Sequence, residues 1–98
     1  AASRCAPPSR RWVDAVSRRT AELVARASYG RLVAILAARC GDLAIAEDAL
    51  ADAFLAALTQ WPEEGVPASP EGWLLTAARR RVGDGRRRAA VRARSTAD

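Results

Sequence analysis

Alanine supplies 24 of the 98 residues, and this excess limits the fold more than any other feature of the sequence. Half of the chain is hydrophobic, but only 25 apolar residues larger than alanine remain to build a core. Alanine is the strongest helix former, whereas the β-branched and aromatic residues that favour strands are scarce. A chain of this length supports one small domain. The sequence therefore predicts an all-α fold, a compact three- to four-helix bundle around a thin core.

The residue types that the chain lacks exclude several functions. There is no histidine, and two cysteines, Cys5 and Cys40, cannot supply the four ligands of a structural zinc site. This composition disfavours histidine-based acid–base catalysis, a Cys–His nucleophile pair and the usual transition-metal sites, so we expect no metal and no cofactor. Both cysteines are expected to be free thiols in a reducing cytoplasm. No apolar run approaches the roughly 20 residues of a membrane span, so no membrane association is expected.

Charge is sorted into three blocks along the chain. Residues 1–41 hold eight arginines against Asp14 and Glu22, a net charge of +6. Residues 42–71 hold seven acids and no arginine, and residues 72–94 hold eight arginines against one acid, Asp84. Blocks of opposite sign indicate two partners of opposite charge.

Apolar spacing predicts helices in the first half of the chain. Residues 1–11 are interpreted as a disordered lead-in, and helical periodicity begins at Trp12. One apolar stripe runs to Ala27 and a second to Cys40; whether they form one helix across Gly30 is left open, because glycine costs about 1 kcal/mol inside a helix. Gly41 then ends a helix, and Asp42 is predicted to cap the next one.

The second half of the chain is predicted to contain two helices around a loop. The third helix is expected over residues 43–61, ended by Pro62, because proline disfavours the α conformation in the residue before it. Ser69, followed by Pro70 at the first helical position, predicts the start of a fourth helix after a loop at 62–69. We expect a frayed tail, or the start of a linker, over residues 91–98. The apolar side of this fourth helix is predicted to carry Trp73, Leu74, Ala77, Ala78 and Val82.

Three acids mark the third helix as a candidate binding surface: Glu47, Asp48 and Asp52. Acids near a helix N-terminus offset the macrodipole, but that effect does not reach Asp52. Asp48 and Asp52 form a like-charge pair one turn apart, which costs a few tenths of a kcal/mol. An isolated domain gains nothing from this pair, so a basic partner surface is one interpretation and helix-end stabilisation is the other.

Eight arginines crowd residues 79–94 with only Asp84 nearby, which favours binding to a phosphate backbone over a solvated face. Helical geometry places four candidates for DNA binding opposite the apolar side: Arg79, Arg80, Arg86 and Arg87. Arg81 and Arg88 turn back toward the apolar side, where Arg81 is expected mainly to pack. Trp61 and Trp73 are expected in the core, and Tyr29 in the core or between helices.

Two segments, in this order and spacing, resemble a known family. Residues 46–55, Ala-Glu-Asp-Ala-Leu-Ala-Asp-Ala-Phe-Leu, resemble the conserved region 2 signature of bacterial extracytoplasmic-function sigma factors. Residues 72–80, Gly-Trp-Leu-Leu-Thr-Ala-Ala-Arg-Arg, with the following Asp84 and Arg86–Arg88, resemble a second segment of that region. Trp61-Pro62 and the proline-rich loop are similar to a subgroup that carries a large C-terminal extension.

The resemblance implies an all-helical sigma domain 2 over residues 12–90. It implies that Asp48 and Asp52 bind the coiled-coil clamp of the RNA polymerase β′ subunit, with Phe54 buried beneath these acids. The loop and the fourth helix would open the promoter −10 element and hold its non-template strand. Ala51 and Arg80 depart from the family pattern, which usually has Gln and Asn there, and Gly83 and Gly85 depart from it too.

The sequence therefore favours a transcription initiation factor domain that is not itself an enzyme, with RNA polymerase core and promoter DNA as partners. An anti-sigma factor or a C-terminal domain of the same protein is a further candidate partner. Two alternatives stay open at this point: a generic helical DNA-binding regulator and a purely protein-binding helical module. A helix-turn-helix regulator needs a short turn before its basic helix, whereas the predicted loop here is long and rich in proline.

Overall fold

The computed structural model describes residues 10–97, which form three α-helices and no strand within that range. Helix α1 spans Arg10–Cys40, α2 spans Leu43–Glu64 and α3 spans Pro70–Ala97. Each helix contacts the other two, and α2 contacts both neighbours extensively. The prediction of an all-α bundle is confirmed, with three helices rather than four. The lead-in predicted for residues 1–11 lies largely outside the described residues, as does Cys5.

Helix α1 continues without a break through Ser28, Tyr29 and Gly30, which answers the question that the sequence left open. Ser28 is buried, and Ala21 and Leu32 on either side of Gly30 belong to the same core. Burying one leucine side chain stabilises by about 1.5–3 kcal/mol, which outweighs the cost of roughly 1 kcal/mol for one helical glycine. Packing on both sides of Gly30 therefore keeps α1 continuous.

The turn between α1 and α2 forms as the sequence predicts. Gly41 adopts a φ of 74°, and its amide donates to the Ala37 carbonyl at 2.8 Å. Asp42 then caps α2, since its Oδ1 accepts from the Ile45 amide at 3.1 Å. Only glycine enters the left-handed region without steric cost, so this one residue lets α2 reverse direction and pack against α1.

The prediction that Pro62 ends the third helix is wrong. Helix α2 continues to Glu64 with Pro62 inside its last turn, and Gly65 ends it. Gly65 has a φ of 92°, and its amide donates to the Trp61 carbonyl at 2.7 Å. Proline so near a helix end removes only one backbone donor, and burial of Trp61 holds the turn before it in place. The helix therefore ends at the residue that can leave it without strain.

Helix α3 begins at the predicted signal. The Ser69 Oγ accepts from the Gly72 amide at 3.3 Å, and Pro70 is the first helical residue. Glu71 in the first turn pairs with Arg31, which ties the start of α3 to the middle of α1. The helix then extends to Ala97, past the boundary near Ala90 that the sequence suggested.

The core is thin and largely made of small residues. Of its buried hydrophobic residues within the described range, half are alanine: Ala21, Leu32, Val33, Leu36, Ala46, Ala49, Leu50, Ala53, Ala57, Trp61, Leu74 and Ala78. Alanine brings helix backbones close together while contributing little buried area per residue. Trp61, the largest fully buried side chain, therefore carries a disproportionate share of the apolar burial.

Two further findings concern single residues and segments. Cys40 is a free thiol, and its Sγ donates to the Asp42 carbonyl at 3.3 Å. None of the helices between residues 10 and 97 is both long enough and apolar enough to cross a membrane.

Candidate functional site

The acids of α2 project from the side of the helix that faces away from the core. Ala46, Ala49 and Ala53 are buried and define the side of α2 that faces the core. The three candidate acids lie on the rest of the helix surface and are all exposed: Glu47, Asp48 and Asp52. Asp48 and Asp52 border a groove between α2 and α3, whereas Glu47 does not line it. We call Asp48 and Asp52 the acidic edge.

The acidic edge has a basic neighbour that the sequence analysis missed. The Arg81 Nη1 lies 4.0 Å from the Asp52 Oδ2, and 46% of the arginine side chain and 53% of the aspartate side chain are exposed. Arg81 was expected mainly to pack, but it reaches across to α2. The like-charge pair of the acidic edge is thus partly offset within the domain itself. An exposed pair of this kind contributes only about 0.2–1 kcal/mol, so the edge remains available to a stronger partner.

Phe54, which the resemblance implies is buried beneath the acids, is only partly buried and packs against the core. Its ring centroid lies 6.4 Å from that of Tyr29 on α1. Phe54 follows Asp52 by two positions, and two positions rotate a helical side chain by about 200°. Phe54 therefore lies on the side of α2 opposite Asp52, and its contact with Tyr29 places Tyr29 between α1 and α2, as predicted.

The four candidate DNA-binding arginines are all exposed, but the structure does not bring them into one cluster. Arg86 donates from Nη2 to the Cys40 carbonyl at 2.7 Å, and Arg87 pairs with Asp84 one turn away. Arg79 borders a small groove against α1, whereas Arg80 borders a larger groove against α2. Sequence periodicity places the four on one broad side of α3, and tertiary contacts then divide them.

The larger groove lies between α2, the loop after it and α3, and has a volume of 600 Å³. Arg80 and Arg81 supply positive charge that exceeds the single acid of the groove, Asp84. Trp73 supplies aromatic surface, and Gln60 and Ser69 add polar groups. Trp73 is half-buried and packs edge-on against Trp61, with ring centroids 5.5 Å apart and an interplanar angle of 70°. We call this the tryptophan groove. The prediction that Trp73 lies in the core holds only in part, because Trp73 packs against Trp61 of the core and also lines the groove.

Residues 24–92 match the family model described as Sigma-70 region 2. The matched segment begins within α1, includes all of α2 and ends near the end of α3, so it contains both the acidic edge and the tryptophan groove. The chain belongs to the sigma-70 region 2 family. As such a domain it takes part in transcription initiation with RNA polymerase core and promoter DNA, in a role that is not enzymatic.

No curated protein and no solved structure matches this sigma-70 region 2 domain significantly. Every candidate site residue, from Glu47 to Arg87, falls inside the matched segment. Within the described residues there is no group of three or more histidine, cysteine, aspartate or glutamate side chains arranged to hold a metal ion.

Proposed function

We propose that this sigma-70 region 2 domain binds the β′ clamp of RNA polymerase through the acidic edge and holds the non-template strand of the promoter −10 element in the tryptophan groove. The observation that carries the proposal is that two surfaces of opposite character lie side by side. The acidic edge is on α2, the tryptophan groove runs between α2 and α3, and Arg81 borders both.

The acidic edge suits a basic protein surface for two reasons. Asp48 and Asp52 are one turn apart on a helix that is anchored along its length, so their spacing is fixed before a partner arrives. Within the described residues their only ion pair is the exposed contact of Asp52 with Arg81, which costs little to replace. Charged hydrogen bonds that become buried at an interface cost about 2–5 kcal/mol when one partner is removed. Glu47, which points away from the groove, would contribute through charge alone.

The tryptophan groove suits a single strand better than an intact duplex. An exposed aromatic face can stack on an unpaired base, and such stacking is worth about 1–3 kcal/mol per base. Arg80, which has no ion pair within the described chain, lines the same groove as Trp73 two helical turns away and can bind a phosphate of the same strand. Opening duplex DNA costs about 1.4 kcal/mol per stacked step, so the domain would depend on polymerase core to supply the remainder.

The clamp proposal predicts a large loss of binding when the acidic edge is removed. The double variant Asp48→Ala, Asp52→Ala should bind a β′ clamp fragment at least about 30-fold more weakly, which corresponds to roughly 2 kcal/mol. Its melting temperature should change little, because the acids repel each other and the Arg81 contact is exposed. Binding is measured by titration calorimetry or pull-down with the purified fragment.

The matched control is Glu22→Ala, Glu64→Ala, which removes the same charge from exposed positions on α1 and α2. This control should bind the clamp as the unmodified domain does. Equal affinity for all three proteins would contradict the proposal.

The proposed function includes three further statements. The domain acts in the cytoplasm of a bacterium, an anti-sigma factor can bind it, and it belongs to the extracytoplasmic-function group of sigma factors.

A further inference from the structure

Three arginines from two helices meet at the C-terminal end of α1. Arg39 comes from the last turn of α1, and Arg79 and Arg86 come from α3, two helical turns apart. They line a groove of 140 Å³ whose other residues are Leu36, Cys40 and Val82. No acid lines this groove, and all three guanidinium groups belong to exposed side chains. We call it the arginine groove.

The arginines of this groove differ in how they are paired. Arg86 is held by its hydrogen bond to the Cys40 carbonyl at 2.7 Å. Arg39 and Arg79 make no ion pair and no side-chain hydrogen bond within the described part of the chain, in contrast to Arg31, Arg81 and Arg87, each of which faces an acid. Like charges that border one groove repel one another, and an anion bound between them relieves that repulsion.

Helix-end stabilisation does not account for the whole arrangement. A helix C-terminus carries roughly half a negative charge, and one cation in the last turn is enough to offset it. Arg86 already donates to the carbonyl of the last residue of α1. Arg39 and Arg79 therefore bring charge in excess of what the helix end requires, and the net charge of the groove is positive.

We propose that the arginine groove binds one phosphate group of the promoter DNA backbone, with Arg39 and Arg79 donating to its oxygens. Guanidinium forks match phosphate geometry, and the groove offers two such groups with no acid among its lining residues. The inference rests on the proposed function, because it takes the same DNA strand as ligand. Arg79 and Arg80 are adjacent on α3 and border the arginine groove and the tryptophan groove respectively, so a backbone that crosses α3 reaches both.

The test compares Arg39→Ala with Arg26→Ala. Arg26 is also on α1, exposed and without an ion pair in the described chain, so both variants lose the same charge from the same helix. The 98-residue chain is titrated with bubble DNA of a −10 sequence at several salt concentrations. The salt slope of Arg39→Ala should be smaller by about 0.7, the value for one phosphate contact on a single strand. Arg26→Ala should keep the slope of the unmodified chain.

A second measurement locates the contact and does not depend on total charge. Single phosphates of the strand are replaced one at a time by uncharged methylphosphonates. One position should weaken binding of the unmodified chain and of Arg26→Ala, yet leave Arg39→Ala and Arg79→Ala almost unaffected. Thermal melts of each variant check that the fold is retained.

The outcomes separate this inference from the proposed function. If Arg39→Ala matches Arg26→Ala in both slope and methylphosphonate profile while Arg80→Ala still weakens binding, the arginine groove is not a phosphate site and the DNA-binding function stands. If the unmodified chain shows no preference for bubble DNA over duplex and Arg80→Ala changes nothing, the strand-binding proposal and the arginine groove both fail.

Discussion

Helices α2 and α3 carry opposite charges and are held in the fold in different ways. Buried residues recur along the whole of α2, from Ala46 to Trp61, so its exposed acids lie on a helix supported from end to end. Among residues 70–94 of α3 only Leu74 and Ala78 are fully buried, both near its start, and from Arg86 to Arg94 every residue is exposed. The acidic surface is therefore preorganised by the core, whereas the distal arginines depend on the stability of α3 as a helix.

This difference suits the two proposed partners. A protein surface selects a fixed spacing of charges, which a fully packed helix provides. A phosphate backbone is recognised largely through charge, and a projecting helix can follow a flexible strand. Gly83 and Gly85 lie where α3 leaves the bundle, and each costs about 0.5–1 kcal/mol relative to alanine. The sequence thus weakens α3 at the point where tertiary support ends.

The largest expected effect tests whether α2 is the supported helix. Trp61→Ala should lower the free energy of unfolding by about 3–5 kcal/mol, because it removes the largest buried side chain and its contact with Trp73. The indole Nε1 has no hydrogen-bond partner within the described structure, so the loss is one of apolar packing. Leu55→Ala on the same helix, where Leu55 is 64% exposed, should change stability by less than about 0.5 kcal/mol. Similar denaturant midpoints for the two variants would show that α2 is not anchored by Trp61.

Glycine-to-alanine substitutions at the end of α2 and in the middle of α3 should change the free energy of unfolding in opposite directions. Gly65→Ala should destabilise by about 1–3 kcal/mol, since Gly65 has φ 92° and ψ 154°, a region that residues with a side chain avoid. Gly85→Ala should stabilise by about 0.5–1 kcal/mol, because Gly85 is helical and a Cβ there meets no atom within 4 Å. Chemical denaturation measures both. A destabilised Gly85→Ala variant would show that α3 needs flexibility at that point.

The smallest expected effect concerns the link between the two helices. A double-mutant cycle on Asp52→Ala and Arg81→Ala should give a coupling energy of about 0.2–1 kcal/mol, because both side chains are half exposed. A parallel cycle on Asp48→Ala and Arg81→Ala should give a coupling near zero. The two cycles are compared by urea unfolding at low salt. Equal couplings would mean that Arg81 interacts with the overall negative charge of α2 rather than with Asp52 in particular.

Most of the fold could be predicted because local signals at the helix ends agreed with the apolar periodicity. Two residue pairs mark helix boundaries, Gly41 with Asp42 and Ser69 with Pro70. Each does so through hydrogen bonds and backbone conformations that involve only residues close in sequence. Pro62 gave a false boundary, because its effect depends on whether packing around Trp61 can hold a turn with one donor missing. The sequence left the continuity of α1 across Gly30 open for the same reason. The cost of a glycine inside a helix is local, whereas the burial that outweighs this cost depends on the tertiary structure.

The sequence by itself determined which side of α2 carries acids and which part of α3 carries arginines, because helical geometry converts spacing directly into direction. It also contained the family match over residues 24–92. Only the tertiary structure decided which partners those charges meet: Arg81 pairs with Asp52 and Arg86 with the Cys40 carbonyl, whereas Arg39 and Arg79 border one groove without pairing. These contacts join residues about 29 to 46 positions apart, and their energies of about 1 kcal/mol are too small to direct folding. They follow from the way that alanine-lined helices pack, and no local pattern encodes them.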